Sequence, residues 1–101
     1  AIGEPGDSVS EQVGFYGSIL PAAWSMMVAM RARGIGTTWT SLLTSKSAEI
    51  AKILNIPEGV TQTVMFPAAY TLGAVLRPAN RKPAEDVICW NTWDNQNSRS
   101  D

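Results

Sequence analysis

The stretch Gly34-Ile35-Gly36-Thr37-Thr38-Trp39-Thr40-Ser41-Leu42 decides how the rest of this 101-residue chain is read. Its two glycines let the backbone turn sharply off the end of a preceding apolar helix. The Thr- and Trp-rich residues that follow suit an extended segment. A flat aromatic ligand can lie against such an extended backbone and take hydrogen bonds from its main-chain N–H groups. The order, helix then glycine loop, is not that of a dinucleotide fingerprint, which runs strand, glycine loop, helix. Taken alone, Gly-x-Gly after a helix is an ordinary helix terminator.

Toward the N-terminus, residues 18–33 read as that helix. Ser18 suits the N-cap and Pro21 the first turn. The run Ala22-Ala23-Trp24-Ser25-Met26-Met27-Val28-Ala29-Met30 is apolar almost all round, so the helix is expected to be buried on several sides. Arg31 and Arg33 complement the helix dipole, and Gly34 fits the C′ position. Residues 1–17 hold four glycines and a proline and read as a loop or linker, with a short helical turn near residues 8–12.

Toward the C-terminus, Thr44 or Ser45 is placed to cap a second helix through Leu54, with Ile50, Ile53 and Leu54 inward. Asn55 then ends it and Pro57-Glu58-Gly59 supplies a turn. Residues 60–70 form the clearest strand, limited at Pro67, which cannot donate to a ladder. A loop over residues 71–83 contains Arg77-Pro78-Ala79-Asn80-Arg81-Lys82-Pro83, a basic segment held between prolines. The planar fork of an arginine suits a phosphate. Residues 84–90 read as a last short strand, and residues 94–101 as a polar tail.

Composition excludes several classes. With 45% hydrophobic and 17% charged residues, the chain is too apolar to be disordered and has trouble burying its side chains alone. An oligomer or a partner chain is expected. The net charge of −1 favours neither nucleic acid nor an anionic membrane. There is no histidine, which removes His-based triads, the usual zinc sites and the commonest general base. No metal-ligand spacing occurs, and no side chain stands out as catalytic. Cys89 is the lone cysteine and reads as a small hydrophobe. No signal peptide is visible, and the apolar run from Ile19 to Met30 is shorter than a membrane span, so a cytoplasmic protein is expected.

The order of these pieces is more specific than any one of them. An apolar helix ends at Arg33. Gly-Ile-Gly-Thr-Thr-Trp follows, then a helix closing on Ile53-Leu54-Asn55-Ile56-Pro57. Then come a strand near residues 64–70, Gly73, Pro-x-x-Arg-x-Pro at residues 78–83, and Val87-Ile88-Cys89-Trp90. Over residues 18–93 the chain resembles the C-terminal portion of the nitroreductase family of FMN-dependent oxidoreductases. The resemblance implies an α/β (α+β) fold, a three-layer sandwich of which this chain is a C-terminal half, with a buried helix packed on a short sheet. It implies an intertwined homodimer, or a complementing chain, with flavin at the interface.

The resemblance also implies a chemistry. Reduced nicotinamide, NADH or NADPH, gives a hydride to FMN, which reduces a nitro compound, quinone or similar acceptor. The cofactor carries that reaction, so no catalytic side chain is required. By the family's pattern, backbone groups at Thr40, Ser41 and Leu42 approach the flavin ring, and Arg81 contacts its phosphate. The family commonly has glycine at or beside Ser41, and a second basic residue where this chain has Ala79. Family members run longer and open with an Arg-rich segment, so this chain is expected to supply one side of a flavin site. The alternatives are a non-catalytic flavin-binding, storage or oligomerisation module, or an inactive fragment.

Overall fold

Ser8 starts the first helix. The computed structural model describes residues 1–95, and its first element is α1, Val9–Ala32. The Ser8 hydroxyl accepts from the Glu11 N–H at 3.2 Å, and the Glu11 carboxylate accepts from the Ser8 N–H at 3.0 Å. This reciprocal capping box satisfies two otherwise orphaned donors. The helix therefore begins well before the expected cap at Ser18, whose hydroxyl instead donates to Phe15 O at 2.7 Å. Gly14 and Gly17, which pointed to a loop, lie inside it, as does Pro21. The helix ends as expected: Gly34 has φ +79° and donates to Arg31 O at 3.1 Å.

Strand β1, Ile35–Thr37, pairs antiparallel with β2, Ala68–Tyr70, with Ile35 opposite Tyr70 and Thr37 opposite Ala68. The same register continues to a bridge between Thr40 and Met65. The run before β2 is also met by the N-terminus, where Ile2 bridges Val60. Between β1 and this run lie a 3-10 turn, Leu42–Lys46, and α2, Ser47–Leu54. Thr44 and Ser45 do not cap α2; their hydroxyls donate back to Ser41 O at 2.6 Å and Leu42 O at 3.2 Å. Asn55 closes α2 in the left-handed conformation, φ 53° and ψ 42°.

The architecture is a long helix, a short helix and a two-stranded sheet, an α+β arrangement. The helix packed on this short sheet is not the buried helix expected. Among the described residues none is buried, and Trp24 and Val28 are 60% and 53% exposed. The reason is that α1 packs against β1 and nothing else of size, so its other faces have no cover. The Cα radius of gyration is 18.7 Å, against about 13 Å for a compact chain of this length. By length and composition α1 is also long and apolar enough to cross a membrane, a test that core helices of soluble proteins pass as well. The helix is thus longer than the apolar run of residues 19–30.

The strand expected over residues 84–90 is replaced by a 3-10 turn, Ala84–Asp86, and a single bridge position at Cys89. Beyond it the chain turns on itself, with Trp90 N–H donating to Asn95 O at 2.9 Å. The last residues of the expected polar tail, 96–101, lie outside the described residues.

Candidate functional site

The glycine turn after α1 positions the site. Its left-handed Gly34 redirects the chain into β1, and pairing with β2 then fixes the path to Thr40. At Thr40 both main-chain groups are engaged: its N–H donates to Met65 O at 2.9 Å, and its C=O accepts from Met65 N–H at 3.3 Å. The Thr40 hydroxyl accepts from Leu42 N–H at 3.3 Å. The Ser41 carbonyl accepts from Thr44 N–H at 3.1 Å and from the Thr44 hydroxyl.

One donor is left over. The Ser41 N–H has no partner among the described residues. It sits where the strand gives way to the 3-10 turn, with Ser41 at φ −118° and ψ 3° and exposed to solvent. Of the three positions predicted from sequence, Ser41 alone thus offers a free main-chain N–H. At Thr40, sheet pairing with Met65 engages both main-chain groups. Leu42 offers an 84% exposed side chain beside them. Met65, the residue that fixes Thr40, was not singled out from sequence. Its signal was the position it holds in the strand, two residues before Pro67.

Arg81 lies elsewhere in the chain, in the exposed loop after β2. Its guanidinium donates to Asn80 O at 3.0 Å. It makes no ion pair among the described residues, where Lys46 and Glu49 form one at 3.3 Å. No hydrogen bond joins Arg81 to the turn at residues 40–42. The described residues hold no cluster suited to a metal ion. The two shifted carboxyls are remote from this turn. Glu11 is held below the usual glutamate range by the Ser8 N–H first and the Ser8 hydroxyl second, and Asp94 below the aspartate range chiefly by the Thr92 side chain.

The sequence model of the nitroreductase family matches residues 3–73, which covers α1, the glycine turn, β1, residues 40–42, α2 and β2. The chain belongs to the nitroreductase family. No curated protein and no solved structure matches it. The family is one of flavin-dependent oxidoreductases, whose members typically use NAD(P)H and act as dimers. The matched span begins before α1. It ends at Gly73, so Thr40, Ser41 and Leu42 fall inside it and Arg81 falls outside.

The donor set can be tested against a flavin. An isoalloxazine ring presents acceptor atoms along one edge, and a free N–H on an exposed turn suits one of them. An unpaired guanidinium suits a phosphate. Ser41 and Arg81 fit these needs; Thr40 does not fit as a main-chain donor.

Proposed function

We propose that the chain supplies one side of an FMN site in an NAD(P)H-dependent oxidoreductase that reduces nitro compounds, quinones or similar acceptors. The observation that carries this is the unpartnered Ser41 N–H, held on a turn within the family-matched span. When bound, FMN supplies the hydride chemistry. The residues of this chain bind and orient it. Ser41 donates a hydrogen bond to the ring, Leu42 lies alongside as an apolar neighbour, and Arg81 holds the phosphate. A fixed N–H aimed at a site of developing negative charge stabilises it without reorganisation. Met65 is a positioning residue, since its two hydrogen bonds to Thr40 set the direction of the turn.

The test is FMN binding followed by flavin fluorescence, with acceptor-dependent NAD(P)H oxidation measured in parallel. Ser41→Pro removes the N–H and is expected to weaken binding at least tenfold. Ser41→Gly keeps it and is expected to bind as the parent does. Equal affinity in the Pro and parent proteins, with far-UV circular dichroism unchanged, would overturn the role of Ser41. A second reading, flavin binding or storage without turnover, rests on the uncovered faces of α1. Bound flavin with no acceptor-dependent oxidation would favour it.

A further inference from the structure

The peptide that joins Ser41 to Leu42 is held at both ends by threonine side chains. Its carbonyl, Ser41 O, accepts from the Thr44 hydroxyl at 2.6 Å and from the Thr44 N–H at 3.1 Å. Its N–H, on Leu42, donates to the Thr40 hydroxyl at 3.3 Å. The peptide before it is held at one end, where Thr40 O accepts from Met65 N–H at 3.3 Å. The N–H of that peptide belongs to Ser41 and points opposite to the carbonyl, because a trans peptide is planar. Ser41 N–H therefore faces away from Met65 and from the paired edge.

What stands beside that N–H depends on the next peptide. In a strand the N–H and C=O of one residue open to the same edge, as they do at Thr40 in its two bonds to Met65. Had Ser41 continued the strand, its own carbonyl oxygen would lie next to its N–H. A ligand atom that accepts a hydrogen bond carries partial negative charge, and that oxygen would repel it. At ψ 3° the peptide is turned over. Ser41 O points back to Thr44, and Leu42 N–H takes the place beside Ser41 N–H. The main chain thus presents its donors, not its carbonyl, at this point.

The Thr44 hydroxyl is the strongest hold on that orientation. At 2.6 Å its bond is a short O–H···O contact, whereas the 3.3 Å from Leu42 N–H to the Thr40 hydroxyl is long for N–H···O. Returning the peptide to the strand orientation would break both bonds from Thr44 and the bond from Leu42 together. The hydroxyl alone is worth roughly two- to tenfold in the balance between the two orientations, the net worth of one neutral hydrogen bond. Valine keeps the branched shape of threonine and the main-chain N–H, so it removes the hydroxyl alone.

We propose that Thr44 is a positioning residue for the flavin edge: its hydroxyl holds the Ser41 carbonyl turned away, so that Ser41 N–H meets the ring with no competing oxygen beside it. This rests on the reading of Ser41 as a donor to the ring and adds the residue that keeps it one. Thr44 acts through Ser41 rather than on the ring.

The experiment compares the full chain with its Thr44→Val and Thr44→Ser variants in two arms. The first reads amide hydrogen exchange by NMR without flavin. Thr44→Val is expected to speed exchange at Leu42 by roughly two- to tenfold, and Thr44→Ser, which keeps the hydroxyl, is expected to exchange as the parent does. Exchange at Ser47, whose N–H donates to Thr44 O, is expected to stay unchanged, which separates this role from loss of the 3-10 turn. The second arm reads FMN affinity by flavin fluorescence. Thr44→Val is expected to bind roughly two- to tenfold more weakly, and Thr44→Ser as the parent does. Leu42 exchange or FMN affinity equal in Thr44→Val and parent, a rise at Ser47 matching that at Leu42, or failure of Thr44→Ser to restore either reading would each overturn the proposal. The first arm needs no flavin, so Thr44 can fail there while Ser41→Pro still marks Ser41 as the donor, and Ser41 can fail while the hold on its carbonyl stands.

Discussion

Alanine at three glycines tests the helix and its end together, because the structure assigns the substitutions opposite signs. Gly34 has φ +79°, and a Cβ there meets nothing within 4 Å. Its replacement by Ala therefore carries a backbone cost and no steric one. The left-handed conformation costs an L-residue about 1–2 kcal/mol, and reduced freedom of the unfolded chain returns about 0.4–1 kcal/mol. The net expectation is a loss of about 1 kcal/mol. Gly14 and Gly17 lie inside α1, also with nothing within 4 Å of a built Cβ. There Ala has no conformational penalty and gains helix propensity, so each substitution is expected to stabilise by about 0.8–1 kcal/mol. The assay is urea or thermal unfolding at one fixed protein concentration, since association shifts apparent stability. A change of about 1 kcal/mol corresponds to about 4–8 °C in Tm for a domain of this size. Asn tolerates the left-handed region, so Gly34→Asn is expected to fall between Gly and Ala. If Gly34→Ala equals the parent, the turn is not left-handed. If Gly14→Ala and Gly17→Ala destabilise, residues 9–17 are not helical, and the earlier start of α1 is refuted.

Three further outcomes are expected. Ser8→Ala removes the cap and is expected to cost about 1 kcal/mol, read as a loss in Tm with fraying of the first turn in amide exchange. The Glu11 pKa is lowered in the folded chain, so its contribution to stability is present above the unfolded pKa and is lost as pH falls through the folded one; an acid titration of Tm should show this, and Glu11→Gln should flatten it. Arg81→Ala is expected to weaken FMN binding by about 1.5–3 kcal/mol, the usual worth of a hydrogen bond to a charged group, and equal affinities measured by flavin fluorescence would remove Arg81 from the site.

The parts of the fold legible in the sequence were those set by local chemistry. Gly34 ends α1 and Asn55 ends α2 in the left-handed region because few other residues enter it readily. The order of helix, glycine turn and strand was readable for the same reason. The start of α1 was legible too, in Ser8-x-x-Glu11 before an apolar run. Gly14 and Gly17 outweighed that signal in a reading by propensity, although a capped helix of 24 residues carries them. The strand predicted at residues 84–90 failed because apolar residues alone do not make a strand. A strand needs a neighbouring edge, and the 3-10 turn at Ala84–Asp86 packs against none of the other elements.

The candidate site divides along the same line. Positions 40–42 were singled out because the glycine turn and the motif after it are local. Which of the three keeps a free donor was not legible, because that depends on Met65, twenty-five residues away, taking both main-chain groups of Thr40. The burial of α1 was misjudged for a further reason. Its composition states that the helix needs cover, and composition cannot state where the cover comes from. Trp24, Met26 and Val28 are each at least half exposed here, so the apolar pattern of residues 22–30 calls for cover that the described residues do not supply. A partner chain that supplies that cover would couple folding to assembly, so unfolding of this chain is expected to depend on protein concentration. A Tm unchanged over a hundredfold range of protein concentration would separate the two processes and refute that coupling.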